Sequence, residues 1–144
     1  MLGNSPARAQ GYPSEDLLND LRARLTEAPK CAPNCAAIAN AQVNARGSEI
    51  TVALDVQIAA PSAVPLPFDA TTLTLRSLRV DGVAQDALAR DAGTLRTALT
   101  RGVHRVELVF EASGDKVALA FALRPMRAQF SGESWEVAGL ADGR

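Results

Sequence analysis

Little in this sequence advertises chemistry. It holds one histidine, two cysteines, one tryptophan and 4% aromatic residues. A structural zinc site needs four ligands, and only His104 could join the two thiols. A lone imidazole without a nucleophile elbow such as G-x-S-x-G names no hydrolase. Aromatics for stacking bases are few, and 16 acidic residues offset 15 basic ones, so neither nucleic acid nor an anionic membrane is an expected partner. No apolar run approaches the roughly 18 residues of a membrane span. The stretch from Met1 to Tyr12 lacks the apolar centre of a signal peptide, and Ala7-Arg8-Ala9 is a small-x-small pattern that an Ala-rich chain produces by chance. No D-x-D-x-D-G run marks a calcium loop. No cofactor and no metal is expected, and the chain does not read as an enzyme.

What is present reads as a folded domain. The 144 residues suit one domain, and 47% apolar against 22% charged residues excludes bulk disorder. Arg and Ala are abundant, a bias that GC-rich codons produce. Ala-rich strands score as helix on propensity, so periodicity decides instead. Residues 1–13 are polar and Pro-containing and read as a disordered leader. Ser14 can cap a helix, with Glu15 and Asp16 at its positive end. Leu17, Leu18, Leu21 and Leu25 then recur on one face until Pro29, which places one amphipathic helix in residues 14–30.

From Cys31 onward the period becomes two. Asn40, Gln42 and Asn44 alternate with Ala41, Val43 and Ala45 up to a turn at Arg46-Gly47-Ser48. Ile50, Val52, Leu54, Val56 and Ile58 alternate with polar or small residues, the clearest half-buried strand of the chain. Pro61, Pro65 and Pro67 confine the next segment to an edge or a crossover. Leu73 and Leu75 are out of phase with Leu78 and Val80, so either a bulge sits near Arg76-Ser77 or two short strands meet there. Asp81-Gly82 is a hairpin signal, followed by turns at Asp91-Ala92-Gly93, Arg101-Gly102 and Ser113-Gly114-Asp115. His104, Val106, Leu108 and Phe110 share one strand face; Val117, Leu119, Phe121 and Leu123 share another, alternating with alanines that a second layer could also cover. A last strand pair, 127–131 and 135–138, would turn at Gly132-Glu133. Seven to eight short strands without interleaved helices predict a mainly β chain. The expected architecture is an antiparallel β-sandwich, immunoglobulin-like or jelly-roll-like, over residues 31–140, with a tail at 141–144.

Few motifs remain. Cys31 and Cys35 in Cys-Ala-Pro-Asn-Cys can close a disulfide if Pro33-Asn34 turns the chain, and neither the spacing nor the context of a thioredoxin-like redox pair is present. His104 reads as a partly buried ring hydrogen-bonded to turn backbone. Asp81, Asp86 and Asp91 read as solvated turn residues, and Glu107 and Glu111 as cross-strand ion-pair partners rather than a glycosidase pair. Trp135 reads first as a core residue; with Asp81 and Asp91 it is also the candidate ligand set should the chain bind a glycan.

Val80-Asp81-Gly82 followed by Leu99-Thr100-Arg101-Gly102-Val103-His104-Arg105-Val106-Glu107-Leu108 resembles a hairpin pair of bacterial immunoglobulin-like, PEGA-type and PA14-type sandwich domains. The leucine helix, Pro29-Lys30-Cys31-Ala32-Pro33-Asn34-Cys35-Ala36 and Val64-Pro65-Leu66-Pro67 resemble a periplasmic domain of large proteobacterial envelope proteins. The resemblance implies a periplasmic domain of a larger membrane-anchored protein; with every motif open to a structural reading, the chain reads as a non-catalytic spacer or protein-interaction module. Its partners would be other domains of that protein or another envelope protein. The termini read as those of an excised segment. A cell-wall glycan-binding module is the alternative.

Overall fold

A computed structural model describes residues 11–139. The expected leader at 1–13 lies outside the described residues up to position 10, as do the Ala7-Arg8-Ala9 pattern and the tail at 141–144. The chain divides into two compact units between Lys30 and Cys31.

The first unit holds α1 (Glu15–Thr26). The Ser14 hydroxyl accepts from the Leu17 amide, and Glu15 and Asp16 occupy the first turn, where the helix dipole favours negative charge. Asp20 and Arg24 form an ion pair one turn apart. The helix stops before Pro29, whose ring would clash with the preceding turn.

The second unit is mainly β, with nine strands in two sheets around one core among the described residues. They are β1 (Ala36–Arg46), β2 (Glu49–Ile58), β3 (Ser62–Leu66), β4 (Leu73–Val80), β5 (Val83–Ala84), β6 (Ala89–Asp91), β7 (Thr94–Leu99), β8 (Gly102–Ala112) and β9 (Ala128–Glu133). One sheet runs β5-β4-β8-β2-β1-β9 and the other β3-β7-β6. Alternation sets their inner faces: Ile50, Val52, Leu54, Val56 and Ile58 of β2 lie in register with Phe110, Leu108, Val106, His104 and Gly102 of β8. Val64, Leu66, Leu95 and Leu99 from the smaller sheet join them in a single cluster of buried side chains. Phe68 stacks near Phe110, ring centroids 6.1 Å apart.

The local punctuation is observed. Asp81 and Gly82 both take positive φ (52° and 81°), the backbone of a tight hairpin that follows strand twist. The register of β4 against β8 slips between Leu75 and Ser77, at the phase change. β3, with Pro65, is an edge strand paired only to β7.

Three expectations are corrected. Among the described residues there are nine strands rather than seven or eight, because β5 and β6 are two- and three-residue pieces. β9 pairs with β1 in parallel, so the sheet is not wholly antiparallel. Residues 117–123 and 135–138 are not strands. One geometric fact explains these last two differences. β8 and β9 point the same way, so the chain leaving Ala112 must travel back along the sheet before β9 can start. Its anchors mark that path: the Ala112 amide donates to Ser48 at one end of β1, and the Met126 amide donates to Ile38 near the other. The crossover runs extended, with Val117, Leu119, Phe121 and Leu123 packed on the core and the intervening alanines exposed. Alternation is therefore satisfied without a ladder. After β9, Ser134 (φ 66°) turns the chain so that Trp135 packs on the core.

Candidate functional site

The polar side chains gather at two places on the large sheet. At the β4–β5 turn, Asp81 reaches the first residues of β8. Its Oδ1 accepts from the Arg105 amide and its Oδ2 meets His104 Nδ1, both at 2.8 Å. The Asp81 amide in turn donates to the Arg105 carbonyl. On the other side of the ring, His104 Nε2 lies 2.8 Å from the Thr100 carbonyl. Both ring nitrogens thus face acceptors, an arrangement that only the imidazolium satisfies in full. The Asp81 carboxylate and, after it, the Thr100 carbonyl raise the His104 pKa above its ordinary 6.5, against the opposing effect of burial. The Arg105 amide, then His104, lowers Asp81 below 3.8. Both imidazole nitrogens are thereby engaged by neighbouring groups. The cluster fastens the β4–β5 turn to the β7–β8 turn, close to the role expected for His104 from the sequence.

The second cluster is a ladder across the outer face. Arg105 donates to Asp55 on β2 (2.6 Å) and to Gln42 on β1 (3.2 Å), while Asn40 reaches the other oxygen of Asp55. Arg105, foremost, holds the Asp55 carboxyl below its ordinary range. Arg76, at the bulge, pairs with Glu111. The side chain of Thr71, aided by its amide and by Thr72, likewise lowers Asp69 at the turn before β4.

Cys31 and Cys35 form a disulfide, Cα atoms 4.8 Å apart, as the sequence allowed. The Asn34 amide donates to the Cys31 carbonyl, making the turn that brings the sulfurs together. The Cys35 carbonyl accepts from Ala59 just past β2, so the bridged loop is pinned to the sheet.

The third feature is an apolar pocket of about 150 Å³ on the inner side of the sheet. Val43, Ala45 and Ile50 line it with Phe130 of β9, the crossover supplies Val117 and Phe121, and residues 135–138 complete the lining. Trp135 Nε1 donates to the Gly47 carbonyl, so the indole lines the pocket with its polar atom already engaged.

The three glycan candidates do not converge. Trp135 sits at the β1–β2 turn beside Gly47. Asp81 sits near His104, which along β8 lies seven residues from Glu111, or about 23 Å at about 3.3 Å per residue. Asp91 faces Thr94 in the other sheet. Among the described residues, no group of three or more His, Cys, Asp or Glu is placed to hold a metal ion, and no helix is long and apolar enough to cross a membrane. Sequence reasoning missed Arg105 as the hub of both polar clusters and the pocket altogether. The signal for Arg105 was its outward phase beside Asp55; the pocket joins segments too far apart in sequence to leave one.

No family model matches the chain, and no curated protein matches it. Among solved structures it is similar to the M1 zinc metallopeptidase from Deinococcus radiodurans, at 13% identity and TM-score 0.40, covering 58% of this chain and 23% of that one. The Tyr-Ser-Ala-bound mutant of that enzyme gives 14% identity, TM-score 0.42 and coverage of 58% and 21%. Yeast LTA4 hydrolase gives 13% identity and TM-score 0.40, covering 62% of this chain and 18% of that one. The chain spans about a fifth of the length of these enzymes.

Proposed function

We propose that this chain is a non-catalytic β-sandwich module, immunoglobulin-like in kind, that acts as a spacer or protein-interaction domain of a larger bacterial envelope protein. The observation that carries the reading is how the perturbed titratable groups are used. Asp55, Asp81 and His104, whose pKa values are shifted, are each tied to a neighbouring strand or turn, and Asp69 is held by Thr71 and Thr72 of its own turn; the four are not gathered around a cleft. Catalytic sites concentrate such groups where substrate can reach them; here they fasten the scaffold. The Cys31–Cys35 disulfide supports an oxidising compartment, the periplasm or cell exterior.

In-cell photo-crosslinking tests this reading. With a benzophenone amino acid at exposed positions of the large sheet, such as Gln42 or Gln129, the expected products are adducts with extracytoplasmic domains or envelope proteins. Adducts with cytosolic proteins alone would overturn it. So would a hydrolytic activity of the purified chain that Asp81→Asn abolishes while the fold persists.

A further inference from the structure

We propose that the free edge of β9 and the apolar pocket behind it form one docking site for an extended peptide segment that carries a large apolar side chain next to a basic residue. The proposal rests on the interaction-module reading and names the partner's chemistry.

β9 ends the order of the large sheet and has no neighbour on its far side among the described residues. The Arg127 carbonyl accepts from Ala41 on β1. Because backbone groups alternate along a strand, the amides and carbonyls of Ala128, Phe130 and Gly132 turn the other way, toward the open edge. No backbone hydrogen bond from them to a loop or turn occurs among the described residues. Exposed edges of this kind accept an added strand, unless they are shielded by charge, proline or a covering loop. Within β9 the one charge is Glu133 at its last position, and there is no proline.

The second observation is independent of the first. Ala128 and Phe130 face inward, in register with Ala41 and Val43 of β1, and both line the pocket. A strand added at β9 would place every second side chain on that same inner side. A pocket of about 150 Å³ is the size that takes a single aromatic ring or a comparable aliphatic group. Trp135 Nε1 is already spent on Gly47, so the indole offers the occupant no donor. An apolar anchor therefore fits. The lone charged residue lining the pocket is the exposed Glu136, and it selects a cation beside the anchor. Backbone pairing would supply affinity and the anchor specificity.

The test is selection of heptapeptides from a random phage-displayed library against the immobilised whole chain. Recovered peptides are then synthesised and studied by hydrogen exchange, Trp135 emission and affinity. The expected peptides share a Phe, Trp or Leu adjacent to Lys or Arg. They slow exchange at the Ala128, Phe130 and Gly132 amides and shift Trp135 emission. Ala138→Trp, which fills the pocket from an exposed position, weakens binding about tenfold or more, a magnitude ordinary for a lost anchor. Glu136→Arg, at a solvent-exposed side chain, weakens it severalfold, and added salt reduces that difference. Peptides that bind without protecting β9, or with unchanged affinity for Ala138→Trp, would overturn this site while leaving the module reading intact. Recovery of no peptide overturns it as well. So does a β9-to-β9 dimer in sedimentation, since a second copy of the chain would then be the occupant.

Discussion

Replacing Asp81 with Asn removes the charge that favours the imidazolium form of His104 while keeping a carbonyl oxygen for the Arg105 amide. The bond lost is charge-assisted, and the His104 side chain is only 14% exposed, which puts its worth near the usual range of about 1.5–3 kcal/mol. Asp81 is 51% exposed, so solvent screening reduces this to about 1–2 kcal/mol. For a chain of this size that is a fall of roughly 2–8 °C in Tm. The pH dependence follows from the two shifts. The His104 pKa is raised, so its contribution is complete below the ordinary 6.5 and fades as pH climbs through the higher folded value. The Asp81 pKa is lowered, so its contribution is complete above the ordinary 3.8 and fades as pH falls through the lower folded value. The pair therefore contributes most between 3.8 and 6.5. Guanidinium unfolding at about pH 5.5 and about pH 9 should show the wild-type advantage over Asp81→Asn at the lower pH and its reduction at the higher. An NMR titration that finds His104 at or below 6.5 in the wild type would refute the reasoning. A stability equal to that of Asp81→Asn at both pH values would refute it too.

Three other outcomes are expected from the packing and the cross-link. At Gly132 an added Cβ would lie 2.9 Å from the Phe130 ring and 3.1 Å from the Ala45 carbonyl, so Gly132→Ala should destabilise by about 1–3 kcal/mol in denaturant unfolding. Phe110→Ala empties a fully buried site against Phe68 and should cost about 3–5 kcal/mol in the same assay, with loss of near-ultraviolet dichroism as the ring packing loosens. Opening the short Cys31–Cys35 loop by the paired change Cys31→Ser and Cys35→Ala should cost at most about 2 kcal/mol, read as a lower denaturation midpoint without loss of the sheet.

The strands that alternate strictly were legible because one face of each is buried. Ile50 to Ile58 and His104 to Phe110 repeat with period two, and the structure aligns them side by side. The bulge in β4 was legible as a change of phase, and the hairpin at Asp81-Gly82 as a backbone need for positive φ. The partner of β9 was not, since alternation sets which face a strand buries and says nothing of the direction of its neighbour. Residues 117–123 misled for a related reason: an extended segment packed on a core shows the same period as a strand, with or without a ladder. Among the polar groups, the disulfide was visible because its two cysteines are close in sequence. Asp81 and His104 are 23 residues apart and meet only through the β4–β8 register, so the charged state of the ring could not be read in advance. The pocket collects β1, the crossover and the chain after β9, and no local pattern links these three.

The claim of an extracytoplasmic module is tested most directly by the redox state of Cys31 and Cys35 in the cells that make the protein. Cells are quenched in acid, treated with a maleimide before and after reduction, and the chain is weighed intact. The account predicts no alkylation until reductant is added, an unreduced mass two hydrogens below that of the dithiol, and no linked dimer. Two thiols alkylated without reduction would place the chain in a reducing compartment and contradict it.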